Sequence, residues 1–178
     1  MAGATPAAGE RELIAYALGH LPESLAYAPD LVQEVEGIAA GAGMAFEQLW
    51  LLNAWDEADA YIVYRGVNAR RGCTSFAAAG ASTVGGVTYV AQNWDIAPNY
   101  DPVILKVAGA GDEPGARIFT YPGTIAGSGI NDAGIAIVIN TMRSLDARNG
   151  VIWSFLIRRA LQQVKLSDAI HATLKGVR

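Results

Sequence analysis

The stretch CTSFAAAGASTVGGVTYVAQNW, residues 73–94, decides the fold. Two runs rich in strand-forming residues, Cys73–Ala79 and Val87–Trp94, flank Gly80 and the pair Gly85-Gly86. Short apolar runs around glycines predict an antiparallel hairpin. Helical periodicity precedes this hairpin, and strand pairs and then helices follow it. That order predicts an α+β fold in which helices pack on an antiparallel sheet.

Two more strand pairs are expected after the hairpin. The first joins Val103–Ala108 to Arg117–Tyr121, and the second joins Thr124–Ile130 to Ile135–Met142 through a turn at residues 131–134. Residues 134–142 are apolar at nearly every position. A continuous apolar run is typical of a strand that is covered on both faces.

The remaining segments carry helical periodicity. Apolar spacing predicts helices over Glu10–Leu21, from Pro29 with Asp30 as N-cap, over Phe46–Tyr64, over Val151–Val164, and from a Ser167-Asp168 cap through Lys175. Three carboxylates lie within the third of these helices. Asp56, Glu57 and Asp59 fit a solvated helix face better than an acid/base pair, so no catalytic role is assigned to them.

Composition limits the possible functions. The chain has 178 residues, of which 52% are hydrophobic and 17% charged, so one domain with a real core is expected and disorder is excluded. We expect no membrane span, no secretory signal and a cytoplasmic location. One cysteine cannot form an internal disulfide, and Cys and His are not clustered as metal ligands. No metal and no cofactor are therefore predicted.

Charge is distributed unevenly along the chain. Residues 1–72 carry four Lys/Arg and ten Asp/Glu, whereas residues 143–178 carry seven Lys/Arg and two Asp/Glu. The net charge of −4 argues against nucleic acid as a partner. We interpret the basic tail as the solvated face of terminal helices rather than as an anion site.

Cys73 is the one residue whose position suggests chemistry. A lone cysteine is usually a small buried hydrophobe, but this one opens a strand directly after Gly72 and a basic connector. If the Gly72–Cys73 bond were cut, the new α-amine, which titrates near neutrality, would act as the base for the thiol. A cysteine hydrolase that is not cleaved would need another base, and neither His20 nor His171 is well placed in sequence to serve.

Several motifs occur in an order that resembles a known family. They are RGCTS at 71–75, AQNWD at 91–95, PGTIAGSGINDAG at 122–134 and IAIVIN at 135–140, preceded by EGIAAGAG at 36–43 and LLN at 51–53. Together they resemble the acyl-coenzyme A:6-aminopenicillanic acid acyltransferase (isopenicillin N acyltransferase) family, the C45 peptidase group of N-terminal-nucleophile (Ntn) hydrolases. The resemblance spans roughly residues 31–178.

The resemblance implies an αββα sandwich made as an inactive precursor, or zymogen. Autocatalytic cleavage at Gly72–Cys73 would leave residues 1–72 as a helical leader subunit. A second subunit, residues 73–178, would begin with the nucleophile. Cys73 would then carry an acyl group taken from an amide or a thioester, with acyl-coenzyme A as a possible substrate rather than a cofactor.

The resemblance also implies roles for five residues around this cysteine. Asp95 would orient the new α-amine, although a turn-capping aspartate is an alternative. Asn140 would help to bind an oxyanion, with a local turn bond as an equal alternative. Gln92 stands where related bile-salt hydrolases and penicillin V acylases have arginine, which disfavours bile salts. Asn93 and Trp94 would contact substrate or only pack.

Chains of this family continue to about twice this length, so the sequence corresponds to their N-terminal half. We therefore expect that a missing C-terminal half or self-association covers apolar sheet surface. The competing interpretation is a catalytically silent fragment or subunit that serves as a structural or interaction scaffold.

Overall fold

The computed structural model describes residues 8–64, 72–95, 101–141 and 148–176. The helices are α1 Ala8–Leu18, α2 Leu21–Tyr27, α3 Pro29–Ala42, α4 Phe46–Asn53, α5 Trp55–Tyr64, α6 Trp153–Leu161 and α7 Leu166–Gly176. The strands are β1 Gly72–Ala78, β2 Tyr89–Asp95, β3 Val103–Val107, β4 Ala116–Thr120, β5 Ser128–Asn131 and β6 Ala136–Ile137. The α+β class predicted from the sequence is confirmed.

The helical leader differs from the prediction in three details. Helix α2, which has a proline in its first turn, was not predicted. The expected helix 46–64 is interrupted at Ala54, which separates α4 from α5. Asp30 is not the N-cap of α3, because Ala28 holds that position and Pro29 begins the helix. Proline suits the first helical position because its missing N–H would have no partner there.

The strands form two antiparallel sheets. β1 and β2 make the predicted hairpin, in which Cys73 lies opposite Trp94, and β3-β4-β5-β6 make a four-stranded sheet. The last predicted pair is shorter than expected. Thr124 closes a turn by donating its hydroxyl to the Tyr121 carbonyl at 2.7 Å, and β6 pairs over two residues only. Met142 lies outside the described residues.

The two sheets contact each other through side chains, and α6 packs on one face of the four-stranded sheet. Alternation along β4 buries Ala116, Ile118 and Thr120 and leaves the residues between them exposed, as expected when one face is covered. The buried face packs against α6 through Ile157 and Leu161. The other face carries Phe119, whose ring lies 5.5 Å from that of Trp94 in β2.

The leader and the C-terminal helices share one core. Trp50 is fully buried, and its ring meets that of Phe155 edge to face at 5.5 Å. Ile125 and Ile152 belong to the same cluster. Leader helices therefore pack directly on the element that backs the four-stranded sheet.

The interpretation of the basic tail as a solvated face is wrong for two arginines. Arg158 is 6% exposed, donates to the Ile125 carbonyl at 3.1 Å and pairs with Glu34 at 3.0 Å. Arg159 pairs with Asp30. Two ion pairs therefore join acidic α3 to basic α6, so part of the charge asymmetry of the sequence is internal pairing. The bounds of α7 also differ from the prediction, because its two predicted cap residues lie inside the first turn.

Among the described helices, none is both long and apolar enough to cross a membrane.

Candidate active site

Cys73 lies on the wall of a cavity of about 180 Å³. Five parts of the fold meet there: α4–α5, the ends of β1 and β2, the end of β4 with the β4–β5 connection, the segment after β6, and the start of α6. The lining residues are Leu52, Trp55, Asp56, Asp59, Gly72, Cys73, Trp94, Asp95, Thr120, Tyr121, Pro122, Thr124, Ala126, Ile139, Thr141 and Trp153. Five of these belong to the leader and its junction with β1, so the cavity exists only where leader and sheets are packed together.

Cys73, Gly72 and Asp95 are brought together by the hairpin register. Gly72 lies opposite Asp95, and Cys73 lies opposite Trp94. The thiol-bearing residue is half-buried, and Asp95 is exposed at the strand end. The Asp95 carboxylate oxygen lies 3.1 Å from the position that a Cβ on Gly72 would occupy. The carboxylate thus lies beside the glycine that precedes the cysteine.

Aromatic side chains form much of the remaining wall. Trp94 shares a face of the hairpin with Cys73, because residues directly opposite in an antiparallel pair point the same way. Its ring contacts Phe119 and Tyr121 at centroid distances of 5.5 and 5.6 Å. Trp94 therefore packs against the four-stranded sheet and also lines the cavity.

The carboxylates of α5 do not form the solvated face that the sequence indicated. Asp59 is 6% exposed, and both Asp56 and Asp59 line the cavity. Asp56 accepts a hydrogen bond from the Thr141 hydroxyl at 3.3 Å. Their spacing of three residues places them on one side of the helix, and that side faces the cavity.

Glu57 lies behind this wall in a different environment. One carboxylate oxygen accepts the backbone N–H of Trp153 at 2.7 Å. The other oxygen is buried, with no hydrogen-bond partner among the described residues. Burial raises the pKa of the Glu57 carboxyl to about 8, and the hydrogen bond from Trp153 opposes that rise only in part. Glu57 is therefore largely neutral at pH 7.

The other predicted residues lie next to the cavity rather than on its wall. Gln92 bonds through its amide to the main-chain N–H and carbonyl of Ile139 and accepts from the Ser128 hydroxyl. Gln92 therefore links the hairpin to the four-stranded sheet. Asn93 is exposed on the opposite face of β2. Asn140 is exposed, and the residues on either side of it, not Asn140 itself, line the cavity.

Both histidines lie in described parts of the chain, and neither lines the cavity. His20 is buried among the leader helices, where its Nδ1 lies 3.1 Å from the Gly150 carbonyl. His171 is exposed on α7. Within residues 8–64, 72–95, 101–141 and 148–176, no three His, Cys, Asp or Glu side chains are grouped to hold a metal ion.

Sequence reasoning missed Trp153, Asp56 and Asp59 as site residues. The i, i+3 spacing of the two aspartates was a usable signal, since it places both on one side of a helix whose only other charged residue is Glu57. Trp153 gave no such signal, because its place on the wall depends on how α6 packs against α5.

Comparison with models of known protein families, and with curated proteins, found no match to this chain.

Proposed function

We propose that the protein is an autoprocessing cysteine acyltransferase or amidohydrolase of the Ntn type, with an αββα sandwich as its complete architecture. The observation that carries this proposal is the placement of Cys73. The only cysteine of the sequence is the second residue of β1 and lies on the wall of an aromatic cavity, and a carboxylate lies beside the glycine before it. Neither His20 nor His171 lines the cavity.

In the first step the Cys73 thiol attacks the Gly72 carbonyl carbon. The peptide C–N bond breaks, the thiol proton passes to the departing amine, and Gly72 becomes a thioester on the sulfur. Water then hydrolyses this thioester, which yields a Gly72 carboxylate and returns the thiol. The product chain begins at Cys73 with a free α-amine.

In the second step the thiol attacks the carbonyl of an amide or thioester substrate. The α-amine takes the thiol proton and passes it to the leaving amine or thiol, so a thioester forms on Cys73 and the leaving group departs neutral. Water would release an acid from this thioester, and an amine would accept the acyl group. An α-amine titrates near neutrality and suits both proton transfers.

Asp95 is proposed to orient the new α-amine through a charge-assisted hydrogen bond. Its carboxylate already lies beside Gly72, whose departure would free the adjacent space. Asn140 is proposed to donate to the oxyanion, since it lies between two cavity residues. The position of Gln92 supports a role in joining the sheets rather than in touching substrate.

A second candidate function, as an interaction subunit, is favoured by exposed apolar sheet surface. Phe76 and Tyr89 on the hairpin are more than half exposed, and Ile104 and Ile130 on the other sheet are 57% and 47% exposed. Surface of this kind supports the expectation of a further polypeptide or of self-association. Cytoplasmic placement is part of the proposal and is supported by a thiol that is free.

Acylation of Cys73 tests the two candidates against each other. The protein is incubated with p-nitrophenyl hexanoate and its mass is measured after digestion. An enzyme acquires one hexanoyl group on the peptide that contains Cys73, and the Cys73→Ala variant acquires none. A scaffold shows no acylation in the folded state, and its thiol reacts with iodoacetamide quickly only after denaturation.

A further inference from the structure

The first turn of α6 is held by hydrogen bonds from three leader helices. Ser24 in α2 accepts the Ile152 N–H at 3.2 Å, and Glu57 in α5 accepts the Trp153 N–H at 2.7 Å. The Ser154 hydroxyl donates to the Asn53 carbonyl of α4 at 3.0 Å. The first N–H groups of a helix have no partner within it, so these contacts replace a cap. Trp153 therefore has a fixed main chain.

The Trp153 ring forms part of the cavity wall while also packing against the core between α6 and the sheet. Because its main chain is held and its ring packs on one side, Trp153 cannot change rotamer without losing these contacts. Together with Thr120 and Ala126, both of which are fully buried, it bounds the inner part of the cavity.

The cavity is small. A volume of about 180 Å³ compares with the roughly 150 Å³ of a cavity that holds one benzene molecule. Most of its wall is aromatic and aliphatic, and the charged side chains on it are the carboxylates of Asp56, Asp59 and Asp95, so it favours an uncharged, largely apolar group over an anion. A chain of twelve carbons would exceed this volume, so part of it would lie outside the cavity.

We infer that Trp153 is a specificity-determining residue that limits the acyl group on Cys73 to a compact apolar one, about one six-membered ring or six carbons. This inference rests on the proposed acyl chemistry at Cys73. Glu57 is a positioning residue in this arrangement, because it does not line the cavity and accepts the main-chain N–H of Trp153.

The test compares acylation of Cys73 by p-nitrophenyl hexanoate and dodecanoate. The parent should prefer hexanoate. Trp153→Ala should raise the dodecanoate-to-hexanoate ratio about fifteenfold or more, because each buried methylene is worth about fourfold in binding and removal of the indole makes room for at least two more methylenes. Phe76→Ala is the matched control, since Phe76 is an exposed aromatic residue of β1 outside the cavity. The control ratio should equal that of the parent.

Glu57 is tested by two substitutions. Glu57→Gln keeps an acceptor for the Trp153 N–H and should preserve the ratio, whereas Glu57→Leu removes the acceptor and should raise it. A parent that prefers dodecanoate, or a ratio that Trp153→Ala leaves unchanged, would overturn the inference while leaving the proposed function intact.

A binding measurement separates failure of this inference from failure of the proposed function. The Cys73→Ala protein is titrated with benzamide, hexanamide and dodecanamide while the indole N–H signals of its four tryptophans are followed by NMR. Saturable shifts with the two compact amides, and no tighter binding by dodecanamide, support the size limit even if no ester acylates Cys73. Tightest binding by dodecanamide would refute it.

Discussion

At the scale of single residues, the pairing of Gly72 with Asp95 links the hairpin to the proposed chemistry. The register fixes which residue lies opposite the scissile position, and it places an aspartate there. A Cβ at position 72 would lie 3.1 Å from an oxygen of that carboxylate, which is closer than most non-bonded contacts of a Cβ atom. The glycine thus allows the carboxylate to lie beside the bond that is proposed to break.

Gly72→Ala should therefore slow self-cleavage, because contact between the new Cβ and the Asp95 carboxylate would shift the Gly72 carbonyl that Cys73 is proposed to attack. We expect a loss of about tenfold or more, since small misplacements of catalytic groups can cost about 100-fold. The rate is measured as the fraction of cleaved chain over time. Gly37→Ala in α3 is the control, because a Cβ there meets nothing within 4 Å, and equal slowing in both variants would refute the argument.

Glu57 should impose a pH dependence on stability. Its pKa is about 8 in the folded protein against 4.5 for the ordinary group. Between these values the folded protein holds a proton that the unfolded chain has lost. The free energy of unfolding should then fall as pH rises, by up to about 1.4 kcal/mol per unit, and level off above about pH 8.

Urea denaturation at pH 5 to 8 measures this effect as a difference between the parent and Glu57→Gln. Subtracting the two curves removes the opposite contribution of His20, whose pKa burial lowers. Asp56 and Tyr16, which interact electrostatically with Glu57, are present in both proteins. Parallel pH profiles in the two proteins would show that Glu57 is ionised in the folded state.

At the scale of elements, α4 and the β4–β5 connection are joined through Asn53. Its amide donates to the Leu49 and Gly123 carbonyls, both at 3.0 Å, and its carbonyl oxygen accepts the Ile125 N–H at 3.0 Å. Asn53 is fully buried. The motif LLN and the motif that begins at Pro122 are separated in sequence, but they meet at this residue.

Asn53→Ala should lower the free energy of unfolding by about 2–4 kcal/mol, because buried polar groups left without partners cost about 1–3 kcal/mol each. Gln48→Ala is the control, since Gln48 lies in the same helix and makes a single side-chain bond to Glu10. Chemical denaturation measures both. A loss below about 1 kcal/mol for Asn53→Ala would show that water or rearrangement replaces these bonds.

At the scale of the whole molecule, the leader is part of the core. Trp50 packs against Phe155, and Arg158 pairs with Glu34 across the proposed cleavage point. After cleavage the leader and the chain from Cys73 should therefore remain associated. Size-exclusion chromatography of cleaved protein should give one peak that contains both chains, and separate elution of the leader would contradict this.

The sequence predicted what depends on local pattern and missed what depends on packing between distant segments. The hairpin from 73 to 94 follows from alternation and glycines, and its register then places Asp95 beside Gly72. The buried state of Asp59 and Arg158 was not predicted, because each depends on an element far away in the chain. The place of Trp153 on the cavity wall was missed for the same reason, because it depends on packing between segments that are distant in sequence.

The most direct test of the account is the intact mass of the protein under denaturing conditions, beside Cys73→Ala. The account predicts two chains in the parent, residues 1–72 and 73–178, and one chain of 178 residues in the variant. A parent that stays a single chain of 178 residues, like the variant, would contradict self-cleavage at Gly72–Cys73.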